Sequence, residues 1–591
     1  CSIFKVHSLA VPSRRQLCYY NSEVFICQEV FLISFEIFLS SSPFFRAAPS
    51  SAWLIYHLFP PLSTTFFTNL KLFFYILIIA VFLGIIHNMY NSFFQAGSYH
   101  PLRQPEYSCP LNKKNLSDIF ASCSDFEMRE ISFGLEKNVR LSVCWLDGIV
   151  SGSDVSSLVL RPLTQFARSS GAKDEQQAHA AILAGGVYSY SVKECLSTDE
   201  TISALTHGHC AVIFDGLGSA LCFEVRSDKA RSVSEPTLEK ALKGAKDSFV
   251  ETLRVNTALV RRRICSPKLK LIESTVGRKS STRVAVMFID GVAAPDTVAE
   301  LARRLDALDV DSLLAVGILE ESLVDNPGSP FPQLLHTERP DRFAMYLMDG
   351  RVGLLVDGIP VGLVLPVTFA EFMKVTGDAN IHYLITSSIS LVRYLSLALS
   401  ALLPALYVAV SMYHQEMIPT RLLLSIINAK QNVPFSTALE VLGMLIAFTL
   451  LQEAGLRLPD PIGDTVSIIG VLIVGQSAVE ARVISPIAII VVALSGIACY
   501  TLPSQDMGGA IRLSRFALLL AAIAAGLFGV AVVSCWLVFS LAKIDSFGTS
   551  YTAPLSEGVP FSLTRILFRI PKTQDKYRDP LLRTPDRRRQ K

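Results

Sequence analysis

Two aspartate–glycine pairs occupy equivalent places in the chain, and their carboxylates could form a catalytic pair. Asp147–Gly148 follows the apolar run VCWL, and Asp290–Gly291 follows the apolar run VMFI. Two carboxylates can share acid and base roles when one is held protonated and the other ionised. Asp-Gly after an apolar strand is also a common tight turn, because glycine adopts a positive φ without steric cost. We interpret both pairs as turns and predict no catalytic residue at either.

The histidine and cysteine cluster His207, His209 and Cys210 is a second group that could do chemistry. Imidazole and thiolate bind zinc, but a structural zinc site needs four ligands, and no fourth ligand stands at a suitable spacing. The cluster is better explained as a loop that enters a strand. The chain also has no phosphate-binding loop, no GxSxG motif and no dinucleotide fingerprint. These observations predict a protein that is not an enzyme and needs no metal or cofactor.

The aspartate turns belong to two segments that repeat one order of elements. Residues 143–158 and 286–301 each run from an apolar strand through the turn into the polar start of a helix. We therefore predict a soluble α/β domain over residues 111–370. It contains two similar subdomains, at about 115–230 and 280–366.

Each subdomain is expected to close with a β-hairpin, since Asp-Gly between alternating apolar residues favours a type I′ turn. The first hairpin should turn at Asp215–Gly216. The second should turn at Asp349–Gly350 and again at Asp357–Gly358.

A helix over residues 236–264 is predicted to join the two subdomains, with Phe249, Leu253 and Val260 on one face. It ends on three arginines, Arg261, Arg262 and Arg263. Positive charge suits the C-terminal end of a helix, so the cluster is expected to be a solvated helix end. The alternative is a candidate interface with anionic lipid headgroups or with a neighbouring subunit.

Composition requires both a soluble and a membrane part. The chain has 591 residues, 50% hydrophobic and 18% charged residues, and a mean hydropathy of +0.41. This is too apolar for an ordinary soluble enzyme and too charged for a protein that lies wholly in the membrane. The net charge of +3 is small, and the basic residues form no stripe of the kind that binds nucleic acid. Twelve cysteines without a CxxC pair favour a reducing compartment for the soluble part.

The membrane domain is predicted over residues 381–541, with four to five hydrophobic segments. The four predicted spans are Leu395–Met412, Thr437–Leu451, Ile484–Leu502 and Phe516–Leu541. Arg421–Ala429 is too short to cross, so we expect it to lie at the interface or to re-enter. Charges are expected only at the ends of the segments.

The C-terminal tail, residues 542–591, is basic, with 11 Lys or Arg from Lys543 onward against 5 Asp or Glu. The positive-inside tendency places it in the cytoplasm, and its run RILFRIPK is amphipathic enough to lie on the membrane. The α/β domain is expected on the same side, because no signal peptide is evident. If the α/β domain and the tail lie on the same side of the membrane, the chain between them must cross it an even number of times. This favours four full spans and one short re-entering segment.

A slim stripe of small residues marks an uncharged run of 15 residues, Thr465–Val479. At about 1.5 Å per residue this run reaches only ~22 Å, short of the ~30 Å hydrocarbon core. Asp464 stands before it as a candidate helix cap. The stripe consists of Ser467, Gly470, Val471, Val474 and Ala478. Such a face either packs closely against other helices or lines a narrow passage.

The stretch Ile462–Pro486, IGDTVSIIGVLIVGQSAVEARVISP, resembles the central signature of the GerA-type spore germination proteins, the A subunits of germinant receptors. FVETLRVNTALVRRRICSP, from Phe249, and FPQLLHTERPDR, from Phe331, are similar to further family segments. The resemblance covers about 111–575. It implies an α/β soluble domain of two similar subdomains followed by an all-α polytopic membrane domain.

The resemblance also implies a function. Such a subunit would sit in the inner spore membrane with a transporter-like B subunit, which binds the nutrient, and a lipoprotein C subunit. It would form a homo-oligomer around a conduit that releases monovalent cations, and the stripe is our candidate for the conduit wall. A related sporulation protein that assists the release of dipicolinic acid is one alternative. A secondary transporter is another, although inverted repeats and an intramembrane charge pair are not evident.

Residues 1–110 differ from the rest in character. They begin at Cys1 and hold 15 of the 35 phenylalanines within the first 100 positions. The apolar run Leu72–Ile86 is short for a span. We expect this region to be an extension read from a wrong start, with Met89 as the true start. The alternative is a single membrane anchor.

Overall fold

A computed structural model describes residues 107–590 of the chain, apart from 108, 134–138, 170–173, 188–190, 226–235, 237–238, 240–242, 432, 458–474 and 554–565. The expected N-terminal extension or anchor therefore lies almost wholly outside the described residues. The described chain forms two α/β subdomains, a helical part and a tail.

The first subdomain is a five-stranded antiparallel sheet with helices on both faces. Its strands are β1 Phe126–Phe133, β2 Val139–Leu146, β3 Val192–Cys195, β4 His209–Phe214 and β5 Ser219–Glu224, in the order β1-β2-β4-β5-β3. Its helices are α1 Lys113–Ile119, α2 Gly152–Val155, α3 Arg161–Ser169, α4 Glu175–Ala181 and α5 Thr198–Thr206. Alternate residues of β2 face opposite layers: Val143 and Trp145 pack with α2–α4, whereas Cys144 and Leu146 pack with α1 and α5.

The second subdomain repeats this arrangement. Its strands are β6 Leu269–Val276, β7 Thr282–Ile289, β8 Leu335–Thr337, β9 Val352–Val356 and β10 Gly362–Leu365, in the order β6-β7-β9-β10-β8. Its helices are α7 Pro295–Asp306, α8 Val316–Leu323 and α9 Pro340–Asp349, and helix α6, Leu253–Arg261, precedes it. The order of strands is the same as in the first sheet, so the predicted internal repeat is confirmed.

One of the predicted hairpin turns is wrong. Strands β4 and β5 do pair through the turn that begins at Asp215, and β9 and β10 pair around Asp357–Gly358. Gly350, however, ends helix α9 with a φ of 104°, as a left-handed helix cap. The residues before it bury Phe343 and Leu347 on one helical face, and this burial favours a helix over a strand.

The helix between the subdomains is shorter than predicted, since it begins only at Leu253. The side chain of Asn256 accepts a hydrogen bond from the Val250 N–H at 2.8 Å and donates one to the Val250 carbonyl at 2.6 Å. The Phe249 N–H donates to the Glu338 carbonyl at 2.8 Å. These contacts hold the residues before Leu253 outside the helix.

The helical part contains α10 Tyr383–Tyr413, α11 Thr420–Lys430, α12 Thr437–Arg457, α13 Pro486–Tyr500 and α14 Gln505–Lys543. Within the described residues, α10, α12 and α14 are long and apolar enough to cross a membrane. Helix α13 has 15 residues, or about 22 Å, and is not the full span predicted for Ile484–Leu502. Ser485 caps its start and Pro486 occupies its first position, so the helix cannot begin earlier.

Helix α14 is a helical hairpin, and its turn divides the predicted span Phe516–Leu541 near the middle. Its backbone is non-helical at Ala525 and at Gly526, where φ is 59° and ψ is −140°. A Cβ built on Gly529 would lie 2.2 Å from the carbonyl oxygen of Ala521, although these residues would be about 12 Å apart along a straight helix. Residues 505–524 therefore form a first leg, and residues 527–543 form a second leg that returns.

Both ends of α14 lie at the second subdomain. The first leg of α14 begins there, because Met507 shares an apolar cluster with Phe343. The second leg ends there as well, where the Ser546 hydroxyl accepts a hydrogen bond from the Val367 N–H at 3.2 Å. The two legs of α14 therefore run in opposite directions.

Helices α12 and α13 run in the same direction. Glu440 near the start of α12 bonds Ser485 at the start of α13, and Phe448 further along α12 lies against Gly496 further along α13. The end of α12 and the start of α13 therefore lie at opposite ends of this helix pair.

Candidate functional site: the junction of the α/β domain with the helices

His336 links the second subdomain to the helical part. It lies on β8, and its Nδ1 is 3.3 Å from Asp506 Oδ2 in the first turn of α14. Its Nε2 is 3.4 Å from Glu320 Oε2 on α8. Burial by itself would lower the pKa of His336, but the two carboxylates outweigh it and raise the pKa to about 9. The imidazole is therefore positively charged at neutral pH and holds two negative groups from different elements.

An apolar core continues from the subdomain into the helices around this ion pair. Leu335 and Leu347 of the subdomain belong to one buried cluster with Leu502, Met507 and Ile511 of the helical part. Close-packed interiors transmit displacement because they have few voids. The start of α14 is thus part of the subdomain core, so a movement of one must move the other.

A second link joins the α/β domain to the start of α10. Arg393, in the third turn of this helix, forms a bidentate pair with Asp378, at 2.6 Å and 2.9 Å. Its Nη1 also donates to the Met373 carbonyl at 3.1 Å. Bidentate arginine–carboxylate pairs fix orientation as well as distance. The entry angle of α10 is therefore set by the segment that leaves the α/β domain.

The tail contacts this same segment through Arg569, and the position of RILFRIPK on the membrane stays a prediction. The Arg569 N–H donates to Ser387 Oγ at 3.0 Å, and its guanidinium donates to the carbonyls of Asp378, Ala379 and Ile381. The backbone carbonyls just before α10 are good acceptors for a guanidinium. The guanidinium of Arg569 therefore bonds to the protein at the start of this helix.

Further along, the tail reaches the second subdomain. Arg589 Nη2 lies 2.6 Å from Asp349 Oδ1 at the end of α9, and the Asp586 N–H donates to the Gly291 carbonyl at 3.2 Å. The tail thus contacts both the start of α10 and the subdomain that holds the start of α14.

A charge cluster surrounds the buried carboxylate of Glu371 near the junction. Arg351 Nη2 is 3.1 Å and Lys374 Nζ 2.8 Å from Glu371 Oε1. Burial would raise the pKa of Glu371, but these two cations outweigh it and lower the pKa to about 2. The carboxylate stays ionised across the physiological range and holds the two cations in place.

Two ionisable residues are buried in the helical part. Glu440 on α12 is 2% exposed and accepts hydrogen bonds from the Ser485 N–H at 3.2 Å and hydroxyl at 2.7 Å, with Lys430 Nζ 3.5 Å from its other oxygen. Arg515 on the first leg of α14 is 1% exposed and donates from Nη1 to Ser495 Oγ at 3.4 Å. Arg515 directly precedes the predicted segment Phe516–Leu541, but it lies ten residues into helix α14, which begins at Gln505. Such residues inside a membrane bundle are usually functional.

The structure does not bring the predicted stripe to this junction. Ser467, Gly470, Val471, Val474 and the candidate cap Asp464 lie outside the described residues, and they remain predictions. Ala478 is described, is half-buried, and its carbonyl accepts a hydrogen bond from the Val483 N–H at 3.0 Å. It therefore ends a short helical turn just before α13.

The arginine cluster is not a solvated helix end. Arg261 is buried against Asp125 of the first subdomain, at 2.7 Å for two hydrogen bonds. Arg263 pairs with Asp247 at 2.5 Å, and Arg262 is half-buried. Arg261 is buried in an ion pair within the chain, so it is not available to lipid or to a neighbouring subunit.

The histidine–cysteine cluster is a loop entering a strand, as predicted. His207 caps the end of α5, and His209 and Cys210 open β4. Burial raises the pKa of the Cys210 thiol well above its ordinary value, which disfavours the thiolate that a metal needs. In the described part of the chain, no group of three or more His, Cys, Asp or Glu side chains could hold a metal.

Sequence reasoning missed His336, Asp506 and Arg515. Arg515 had a signal, since RLSRF places two arginines directly before a long apolar run that extends the helix. His336 and Asp506 had no such signal, because nothing in the sequence around either residue indicates that their side chains form an ion pair.

The comparisons with known proteins agree with this architecture. A match to the family described as Bacillus/Clostridium GerA spore germination protein covers residues 114–581. Spore germination protein KA of Bacillus subtilis (strain 168) is 34% identical over 493 residues, 82% of this chain and 89% of that protein. Spore germination protein GerLA of Bacillus cereus is 32% identical over 477 residues, 80% of this chain and 95% of that protein. The uncharacterized membrane protein YfkQ of B. subtilis (strain 168) is 36% identical over 445 residues, 75% of this chain and 85% of that protein.

A similar solved structure is the N-terminal domain of the A subunit of the Bacillus megaterium spore germinant receptor GerK3. It is 24% identical, covers 43% of this chain and 93% of that chain, and has a TM-score of 0.34. The family match takes in both α/β subdomains and the helical part together. The chain therefore belongs to the GerA family of spore germination proteins.

Proposed function

We propose that this protein is the A-type subunit of a spore germinant receptor in the inner spore membrane, where it converts nutrient binding into the release of monovalent cations. It acts without enzymatic chemistry. It works with a transporter-like B subunit that binds the nutrient, with a lipoprotein C subunit, and with further copies of itself. Relatives named as spore germination proteins, which match most of the chain, support this role.

The observation that carries the proposal is the shared core of the second subdomain and α14, tied by His336 and Asp506. A receptor that transmits a signal needs an element that belongs to both its sensing and its membrane parts. The first leg of α14 belongs to both the core of the second subdomain and the helical part. The second leg of α14 returns to the same subdomain. A displacement of the α/β domain would therefore reach the interior of the bundle without passing through a flexible linker.

The conduit is proposed from sequence alone, with Ser467, Gly470, Val471 and Val474 on its wall. A wall of small side chains leaves a narrow passage, so changing Val471 or Val474 to alanine should widen it. Spores with either variant should leak ions and germinate without nutrient. Normal dormancy in both would count against the conduit.

The receptor role is tested by deleting the gene in its host and scoring spores for nutrient-triggered release of cations and dipicolinic acid. Loss of the response to one nutrient, restored by the intact gene, is the expected result. Complementation with Asp506→Asn should restore much less cation release, although the protein still reaches the membrane at the normal level. The matched control is Asp296→Asn, which makes the same change at an exposed acid of the second subdomain and should complement fully.

Two other results would replace the proposal. An unchanged response to every nutrient, with slower dipicolinic acid release once germination has begun, would identify an accessory sporulation protein of the same fold. Uptake of a labelled solute by the purified chain in vesicles would identify a secondary transporter.

A further inference from the structure

The side chain of Arg515 is buried, yet two of its nitrogen atoms have no hydrogen-bond partner among the described residues. Its side chain is 1% exposed and lies ten residues into the first leg of α14, about 15 Å from the start of the helix. Nη1 donates to Ser495 Oγ, whose own proton goes to the Val492 carbonyl at 2.8 Å. Within the part of the chain that the structure describes, Nε and Nη2 have no hydrogen-bond partner.

The two unpaired atoms are the ones with which arginine takes a carboxylate side-on. Arg261 uses Nε and Nη2 for the two oxygens of Asp125, both at 2.7 Å. Arg339 uses the same edge for Asp341, at 3.0 Å and 2.6 Å. A carboxylate matches this planar edge, because its two oxygens accept two parallel N–H bonds. Arg515 has the same edge, fully buried and unfilled.

The charge around this edge is positive and lacks a counter-charge. Arg512 precedes Arg515 by three residues on the same helix, so the two lie on neighbouring positions of one face. No carboxylate of the described residues pairs with either arginine. Guanidinium does not lose its proton in proteins, so neutralisation by deprotonation is not open to Arg515. A buried charge without a partner is strongly destabilising, and an anion would remove that penalty.

We propose that Arg515, with Ser495 orienting it, is the binding site for a small carboxylate inside the helix bundle. The ligand is a small solute, because the Arg515 side chain is only 1% exposed and offers no surface on which another subunit could lay a side chain. The site is separate from nutrient recognition by a partner subunit. Occupancy stabilises the packing of α13 against the first leg of α14, and therefore the bundle in its present arrangement.

The test uses the full chain in lipid nanodiscs at pH 7, with thermal unfolding followed at constant ionic strength. Sodium acetate is compared with sodium chloride, and acetamide serves as the neutral molecule of the same shape. Acetate should raise Tm by an amount that grows with the logarithm of its concentration above Kd, reaching about 3 °C well above Kd, and chloride and acetamide should not. Ser495→Ala keeps the free edge but removes the orienting oxygen, and should weaken acetate binding severalfold.

Arg515→Met supplies the decisive comparison. Without acetate its Tm should be no lower than that of the wild type, since a buried unpaired charge has been replaced by an apolar side chain of similar length. With acetate its Tm should not change. The matched control is Arg261→Met, which removes an arginine whose Nε and Nη2 already bond Asp125. Its Tm should be lower than that of the wild type by the same amount with and without acetate.

Three results would overturn the proposal. An equal rise in Tm with chloride would indicate a general anion effect. Retention of the acetate shift by Arg515→Met would place binding elsewhere. A large fall in the Tm of Arg515→Met in the absence of acetate would show that the arginine is already satisfied within the protein.

Discussion

Arg261 and Asp125 form a side-on ion pair between the two α/β subdomains. Nε lies 2.7 Å from Oδ2 and Nη2 lies 2.7 Å from Oδ1, and each residue is 1% exposed. Beside the pair, the Ser124 N–H donates to the Leu271 carbonyl at 2.9 Å. The two repeats are thus joined by a buried charge pair and by backbone hydrogen bonds.

Breaking this pair should be strongly destabilising. Arg261→Met leaves the Asp125 carboxylate buried and unpaired, which we expect to lower the free energy of unfolding of the α/β domain by about 3–5 kcal/mol. The double variant Arg261→Met/Asp125→Leu removes both charges and should recover most of that loss. Thermal unfolding of the full chain in nanodiscs gives both values. A double variant as unstable as the single one would mean that shape, rather than charge, controls the site.

The contribution of His336 to stability should depend on pH. Its folded pKa of about 9 lies above the ordinary value near 6.5, so protonation stabilises the fold. The contribution is complete below about pH 6.5, up to about 3 kcal/mol, and disappears as the pH rises through about 9. The Tm difference between the wild type and His336→Gln should therefore be largest at about pH 6 and vanish by about pH 10. His207→Gln, at an exposed histidine, is the control, and a pH-independent difference for His336→Gln would refute the ion-pair role.

Gly526 should tolerate no side chain. Its φ of 59° with ψ of −140° is a conformation that is essentially restricted to glycine, and an added Cβ would lie 3.0 Å from Tyr413. Gly526→Ala should therefore open the α14 hairpin, and we expect a loss of about 1–3 kcal/mol and faster proteolysis. Gly509→Ala lies in the same helix with only the end of Arg512 nearby, at 3.9 Å, and should be neutral or slightly stabilising. Equal behaviour of the two variants would argue against the hairpin.

Gly353 on β9 provides the space for Phe343 of α9. A Cβ at Gly353 would lie 2.1 Å from the Phe343 ring, which is itself fully buried. Gly353→Ala should displace the ring and lower the free energy of unfolding of the second subdomain by about 1–3 kcal/mol. The control is Gly317→Ala in α8, where nothing lies within 4 Å of the added carbon. Chemical denaturation of both variants checks the difference, and an unchanged stability for Gly353→Ala would show that α9 shifts freely.

The sequence by itself determined the elements whose signal is local. The two subdomains could be predicted because each repeats a strand, an Asp-Gly turn and a helix, and period-two burial along strands is visible in the order of residues. The helical part could be predicted for the same reason, since uninterrupted apolar runs need no knowledge of their neighbours. The turn at Asp215 and the loop at His207 also followed from local chemistry.

The tertiary structure alone decided what depends on distant partners. Asp349–Gly350 has the composition of a hairpin turn, but burial of Phe343 and Leu347 made the preceding residues a helix. Arg261 looked like a solvated helix end until Asp125 was placed against it. The pairing of His336 with Asp506, the return of α14 at Gly526 and the empty edge of Arg515 all require the path of the chain in space. Side chains far apart in sequence meet through packing, and packing leaves no periodic trace in either segment.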